Sequence, residues 1–171
     1  MSKLCLSVLS GFVISCVPVV AAGPGRGAYA ERKPDAMWTY REVAGKALQL
    51  SVFLPAKYAE GRQFPAFVVF HGGSWTAGEA SWHYPDCAYW SDRGMIAVSV
   101  DYRLRKRDNV QVPLECVKDA KSSIRFLRKN AAKLKVDPDR IVAAGGSAGG
   151  QLAAATAMIA TPDTNDDQCD L

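Results

Sequence analysis

A short apolar β-type run leads directly into a glycine-flanked serine, and then into an alanine-rich helical segment, near the end of this 171-residue chain. Residues 141–144 form the apolar run, residues 145–150 read Gly-Gly-Ser-Ala-Gly-Gly, and residues 148–159 carry the helical pattern. A turn from strand to helix within one residue forces the central Ser147 into a strained backbone conformation that only small neighbours tolerate. The pattern predicts a Ser147 hydroxyl at the carboxyl end of a strand, above the first amides of a helix.

Five segments have strand patterns: residues 38–43, 47–54, 67–70, 95–100 and 141–144. The first two alternate apolar and polar side chains on either side of Gly45, which predicts an antiparallel pair. The last three are continuous apolar runs, typical of strands buried on both faces of a parallel sheet.

Helical patterns lie between these strands, at residues 81–93 and over a longer amphipathic stretch. The apolar stripe of the longer helix consists of Leu114, Val117, Ala120, Ile124, Leu127, Ala131 and Leu134. Basic side chains cover its other face, and with no interleaved aromatics they favour a solvated surface over a nucleic-acid site. The alternation of strands and helices predicts an α/β fold with a mostly parallel sheet and flanking helices.

A second glycine motif, His71-Gly72-Gly73-Ser74-Trp75, follows the predicted strand at residues 67–70. Backbone amides of residues without side chains can turn toward a substrate carbonyl at such a strand end. A phosphate-binding loop is excluded because Glu79 stands where that loop needs lysine, and no lysine follows Gly150. We interpret His71 as a support for this loop rather than as a catalytic base.

Three motifs in order resemble the α/β-hydrolase fold: residues 71–75, the segment Val100-Asp101-Tyr102-Arg103-Leu104, and residues 137–150. Within that fold the chain is similar to the acetyl-esterase, feruloyl-esterase and hormone-sensitive-lipase-like branch, over roughly residues 38–159. The resemblance implies that Ser147 is the nucleophile and that the amides of Gly72, Gly73 and Ala148 surround an oxyanion hole. Many relatives have a third glycine where this chain has Ser74, whose backbone amide is still available beside His71.

The same resemblance implies a catalytic Asp or Glu and then a His, supplied after the nucleophile by later strands. The only histidines here, His71 and His83, both precede Ser147, so the triad partners are expected outside this chain. We therefore interpret the sequence as the N-terminal part of an esterase that ends after the nucleophile helix. Alone it is expected to be inactive and marginally folded, with residues 141–144 forming an exposed sheet edge.

The expected function is hydrolysis of short acyl or aryl esters, including esters linked to carbohydrate, with no cofactor and no metal. The alternatives are an exported serine peptidase of the prolyl-oligopeptidase type and a non-catalytic envelope protein that retains a hydrolase remnant. A net charge of +4 gives no electrostatic argument for a nucleic-acid partner. The oligomeric state is left open.

The first 22 residues have the pattern of a signal peptide: Lys3, an apolar run, and small residues before a cleavage site after Ala22. The run is too short for a stable membrane span, so the protein is expected to be exported, to the periplasm or beyond. Lipoprotein anchoring through Cys16 is the alternative. Residues 23–37 are interpreted as a flexible lead-in, and residues 38–171 as the hydrolase domain.

Cleavage after Ala22 leaves Cys87, Cys116 and Cys169. Their spacing fits neither a zinc knuckle nor a thioredoxin-like motif. An oxidising compartment would permit a Cys87–Cys116 disulfide, whereas helices on opposite sides of the sheet would prevent it, and both alternatives stay open at this point.

Overall fold

The computed structural model describes residues 26–159, in which one five-stranded sheet carries helices on both faces. The strands are β1 (Ala36–Val43), β2 (Lys46–Phe53), β3 (Phe64–Phe70), β4 (Ile96–Val100) and β5 (Val136–Gly145). The α-helices are α1 (Tyr84–Ser91), α2 (Arg105–Asp108), α3 (Leu114–Lys129) and α4 (Ala148–Met158). Short 3₁₀ turns cover Arg26–Tyr29, Tyr58–Glu60 and Ala80–His83.

The strands follow the order β1-β2-β4-β3-β5 across the sheet. β1 pairs antiparallel with β2 and β2 antiparallel with β4, whereas β4, β3 and β5 run parallel. The predicted antiparallel pair and the three predicted parallel strands are thus confirmed, and with them the α/β fold. Because β3 pairs with β5 in a register that sets Phe70 opposite Gly145, the loop after β3 begins beside the turn after β5.

Two apolar clusters lie on opposite faces of the sheet, since successive side chains of a strand point to alternate faces. Val68 and Phe70 of β3 belong to the larger cluster, with side chains of α3 and α4. Phe67 and Val69 belong to the smaller one, with side chains of α1. β3 and β4 are therefore buried on both faces, as their continuous apolar runs predict, whereas the run at residues 141–144 in β5 is only partly buried.

The cysteines of α1 and α3 are both buried and both free. Cys87 lies in the smaller cluster and Cys116 in the larger, so the sheet separates them. The disulfide that the sequence left open does not form, because the two helices cover opposite faces. Cys169 and Cys16 lie outside the described residues.

Helix α3 differs from its sequence pattern in length and in the width of its buried face. It ends at Lys129, and Leu114, the first residue of the predicted stripe, is 46% exposed. Asp119, Ser123 and Phe126, which the stripe omits, are buried. The reason is that α3 packs against β1 as well as against β5 and α4, so more than one stripe is covered.

Strand β5 begins at Val136, five residues before the predicted run, and contains an irregularity. Phe64 of β3 pairs with Val136, and Ala66 pairs with Ile141. Between these two pairs β5 has four residues, whereas β3 has one. Within the described part of the chain β5 is an edge strand, as predicted, and Val142 is 53% exposed. A groove of about 480 Å³ lies beside it, lined by Ile141 and Ala143 and by side chains of α3 and α4.

Residues 26–37 of the predicted lead-in lie against the domain. Tyr29 is buried in the smaller cluster, and β1 begins at Ala36. The predicted signal peptide lies outside the described residues. Between residues 26 and 159, no helix combines the length and apolar character that a membrane span requires.

Candidate active site

The turn between β5 and α4 holds Ser147 in a strained conformation, as its sequence pattern predicts. Its φ is 52° and its ψ is −121°, a combination that L-residues rarely adopt. Ser147 is exposed, whereas Ala148 and Gly149 behind it are buried. The arrangement therefore presents a serine hydroxyl to solvent while the residues that follow it pack into the fold.

Close packing of α4 against the end of β3 explains the glycine two residues after the serine. A Cβ atom added to Gly149 would lie 2.0 Å from the carbonyl oxygen of Phe70 and 2.7 Å from that of His71. Gly146, on the other side of the serine, would meet nothing within 4 Å. The motif thus needs Gly149 for close approach of the backbones.

The loop after β3 lies directly beside this turn. A Cβ atom added to Gly72 would be 3.0 Å from the Gly146 carbonyl oxygen and 3.5 Å from Ser147 Cβ. The carbonyl of Gly73 accepts hydrogen bonds from the amides of Thr76 and Ala77, at 3.0 and 3.1 Å, which close the loop on itself. The structure therefore brings together the two glycine motifs that are separated by some 70 residues of sequence.

The remaining predicted loop residue, Ser74, is exposed and has a φ of 53°. The next residue, Trp75, has a φ of 57° and donates its indole N–H to Gln151 Oε1 of α4 at 3.3 Å. The loop is therefore tied to the helix that follows Ser147.

Helix α4 begins at Ala148, whose amide is the first of its N-terminal turn. The amides of Gly149, Gly150 and Gln151 donate to the carbonyls of Gly146 and Ser147, and that of Ala148 is not among these donors. The first amides of a helix have no partner within it and carry the positive end of its dipole. An anion beside Ser147 would meet this end.

His71 is fully buried, and its ring nitrogens face different surroundings. Nδ1 lies 2.7 Å from the carbonyl oxygen of Gly72, so this nitrogen carries the proton and donates it. Nε2 is buried and has no hydrogen-bond partner among the described residues. Burial lowers the pKa of His71, partly offset by the Gly72 hydrogen bond, so the imidazole is neutral near pH 7. Neither ring nitrogen is hydrogen-bonded to Ser147.

Tyr102 packs on His71 from the segment after β4, a contact that the sequence did not predict. The two rings stack with centroids 4.3 Å apart and an interplanar angle of 16°. The Tyr102 hydroxyl donates to the His71 carbonyl oxygen at 2.7 Å. The Asp-Tyr-Arg-Leu motif marks this segment, but nothing in its spacing identifies the partner of the tyrosine.

The neighbouring Arg103 forms a buried ion pair with Asp119 of α3. Its side chain donates two hydrogen bonds to that carboxylate, at 2.8 and 2.7 Å, and its amide donates a third at 3.0 Å. Arg41 of β1 donates to the same carboxylate at 2.8 Å. Burial alone would lower the pKa of Arg103, but its bonds to Asp119 raise it, so the guanidinium stays charged. In sequence, Asp119 stands out only as one of two acidic residues in a basic helix, the other being Glu115.

The second histidine, His83, pairs with Asp86 at 2.7 Å at the start of α1. Within residues 26–159, no group of three or more His, Cys, Asp or Glu side chains could hold a metal ion.

The α/β-hydrolase fold carries a serine with this geometry, at the carboxyl end of a parallel strand and before a helix. Comparison with solved structures and curated sequences agrees with that class. The chain belongs to the BD-FAE family of α/β-hydrolase esterases, whose profile matches residues 50–171.

Among solved structures, butyrate-bound esterase Est2 of Thermogutta terrifontis has a TM-score of 0.75 and 41% sequence identity, over 80% of this chain and 49% of the esterase. Carboxylesterase NlhH of Mycobacterium tuberculosis is 38% identical over 97 residues, which are 56% of this chain and 30% of that protein. Esterase LipQ of the same organism is 35% identical over 117 residues, or 68% of this chain and 27% of that protein. The chain spans about half the length of the solved esterase.

Proposed function

We propose that the protein carrying this chain is a serine carboxylester hydrolase in which Ser147 is the nucleophile. The observation that carries the proposal is the strained, exposed Ser147 turn with Gly72 directly beside it. The names of the esterase relatives support the same reaction class.

In the proposed reaction, Ser147 Oγ attacks the ester carbonyl and its proton passes to a general base. The negative charge that develops on the carbonyl oxygen is stabilised by the amides of Gly72, Gly73 and Ala148. Collapse of the tetrahedral intermediate expels the alcohol, which takes up the proton, and leaves an acyl-serine that water hydrolyses to the acid. The base is a histidine oriented by an Asp or Glu, and both belong to a part of the protein outside this chain.

His71 is proposed as a support of the oxyanion loop. The carbonyl of Gly72 and the amide of Gly73 belong to one planar peptide unit. The hydrogen bond from His71 Nδ1 to that carbonyl, at 2.7 Å, therefore fixes the direction in which the Gly73 amide points. Ser74 supports the loop through its backbone, which turns the chain at a positive φ.

The proposed substrates are short acyl or aryl esters, including esters attached to carbohydrate. Solved structures of the related Est2 are described as propionate-bound and butyrate-bound, which supports short acyl groups. The carbohydrate-linked class rests on the resemblance to acetyl- and feruloyl-esterases. The protein is further proposed to be exported after cleavage of a signal peptide between Ala22 and Gly23. A mature N-terminus at Gly23, determined by mass spectrometry, would support export.

Esterase activity is tested in the full-length protein with p-nitrophenyl acetate and butyrate. Ser147→Ala is expected to lower kcat by on the order of 10⁵-fold, because the nucleophile is lost. Ser81→Ala removes another exposed serine hydroxyl and is expected to leave kcat unchanged. Undiminished hydrolysis by Ser147→Ala, or cleavage of dipeptidyl amides without cleavage of esters, would overturn the proposal.

Residues 23–171 produced alone are proposed to be nearly inactive, because no histidine follows Ser147 in this sequence to serve as base. Their kcat is expected to be at least about 10³-fold below that of the full-length protein. Equal turnover by the two would mean that the base lies within this chain.

A further inference from the structure

The Tyr102 hydroxyl has a hydrogen-bond partner that matters for the proposed reaction. It donates to the carbonyl oxygen of His71 at 2.7 Å. That carbonyl and the amide of Gly72 belong to one planar, trans peptide unit, so their directions are fixed relative to each other. Whatever orients the His71 carbonyl also orients the Gly72 N–H, on the opposite side of the peptide.

We infer that Tyr102 is a positioning residue for the oxyanion hole, which sets the direction of the Gly72 amide through the His71 carbonyl. The inference rests on the proposed function, and it assigns to the Asp-Tyr-Arg-Leu segment a role in the chemistry. Tyr102 and His71 then act on successive peptide units: Tyr102 orients the amide of Gly72, and His71 orients that of Gly73.

Tyr102 is itself rigidly placed, which the role requires. Its side chain is fully buried, and its ring stacks on the His71 imidazole with centroids 4.3 Å apart. The carbonyl of Tyr102 accepts a hydrogen bond from Arg107 at 2.6 Å, and the next residue, Arg103, is held by Asp119 through its backbone amide and its side chain. Burial raises the pKa of Tyr102, so its hydroxyl keeps the proton that it donates.

The glycines of the loop make external hydrogen bonds important for the orientation of this peptide. Gly72 and Gly73 have no side chains, and Gly73 has a φ of 112°, so without an external hydrogen bond the loop has several accessible backbone conformations. A hydroxyl aimed at one carbonyl selects among them before substrate arrives, which is how preorganised donors lower a barrier.

The test uses the full-length protein and the variant Tyr102→Phe, which removes the hydroxyl and keeps the ring stacked on His71. Its matched control is Tyr58→Phe, because the Tyr58 hydroxyl also donates to a backbone carbonyl, that of Leu134 at 3.3 Å, near the start of β3, whereas the loop follows the end of β3. With p-nitrophenyl butyrate, Tyr102→Phe is expected to lower kcat by about 10- to 100-fold, less than loss of a whole donor. KM should stay within about twofold, since donors to the transition state add little to substrate binding.

A trifluoromethyl ketone, whose serine adduct carries an oxyanion, should lose affinity by the same factor as kcat/KM. A merely structural role predicts instead that Tyr102→Phe and Tyr58→Phe lose stability together, with no selective loss for the ketone. Unchanged kcat in Tyr102→Phe, or equal losses in the two variants, would overturn the inference.

A second measurement does not depend on turnover. The residual dipolar coupling of the Gly72 N–H, measured by NMR, reports the orientation and mobility of that bond. It is expected to change in Tyr102→Phe and to stay at the wild-type value in Tyr58→Phe. If it is unchanged in Tyr102→Phe, the inference is wrong whether or not the protein hydrolyses esters. If it changes but the wild type shows no Ser147-dependent hydrolysis, the positioning is supported and the proposed function fails.

Discussion

At the scale of single residues, the glycines around Ser147 meet different surroundings and should tolerate substitution differently. A Cβ on Gly149 would lie 2.0 Å from the backbone oxygen of Phe70, and one on Gly146 would meet nothing within 4 Å. Gly149→Ala is therefore expected to lower the free energy of unfolding by at least about 2 kcal/mol, because two backbone segments must separate. Gly146→Ala, the matched control, should change it by less than about 0.5 kcal/mol. Urea denaturation measures both, and equal effects would contradict the packing described for α4.

Protonation of the His71 imidazole makes the free energy of unfolding depend on pH. Burial lowers its pKa in the folded protein, whereas in the unfolded chain the imidazole titrates near about pH 6.5. The unfolded state therefore binds the proton more readily, so this contribution is fully present above that pH and is lost as the pH falls below it. The carboxylates with lowered pKa, Asp108, Glu115 and Asp137, act only at more acidic pH. Burial raises the pKa of Asp119, which is present in the wild type and in a His71 variant alike.

Between pH 7.5 and pH 5.5 the free energy of unfolding is accordingly expected to fall more in the wild type than in His71→Asn. The asparagine amide can replace the donor to the Gly72 carbonyl but does not titrate. Urea denaturation at the two pH values gives the comparison. A variant that loses as much stability as the wild type would show that the buried imidazole is not responsible.

At the scale of elements, one carboxylate joins three parts of the fold. Asp119 of α3 accepts hydrogen bonds from Arg103, which follows β4, and from Arg41 of β1. Asp119→Ala would remove this partner from both guanidinium groups and leave the buried Arg103 with Glu115 alone, and is expected to cost about 3 kcal/mol of unfolding free energy. Asp92→Ala, which removes the exposed partner of Arg32, should cost about 0–1 kcal/mol. Denaturant unfolding of both variants measures the two losses of unfolding free energy. A loss for Asp119→Ala as small as that for Asp92→Ala would mean that the buried ion pair is not important for stability.

Local pattern predicted most of the elements, because the continuous apolar runs and the helical stripe reflect burial directly. Local pattern failed where residues distant in the sequence determine the bounds of a strand or the burial of a side chain. The start of β5 at Val136 depends on pairing with Phe64, and the burial of Asp119 depends on Arg41, 78 residues earlier in the chain. A pattern read along one segment contains no information about such partners.

At the scale of the whole molecule, the parallel pairing of β3 with β5 assembles the site. It sets the glycine loop against the Ser147 turn, and both motifs were recognisable in the sequence because their geometry needs particular small residues. The Tyr102–His71 contact was not recognisable in the sequence, because nothing in the sequence around a buried tyrosine identifies its hydrogen-bond partner. The groove of about 480 Å³ beside the β5 edge has a mixed lining of apolar side chains with Arg128 and Thr156.

The most direct test of the account is to find which atom of the full-length protein reacts as the nucleophile. The protein is incubated with paraoxon, which phosphorylates reactive serines, digested, and examined by tandem mass spectrometry. The account predicts one diethylphosphoryl group per chain, on Ser147, with ester hydrolysis lost in proportion to its formation and no such labelling of Ser147→Ala. Stoichiometric labelling of a different residue with loss of activity, or full activity with Ser147 labelled, would contradict it.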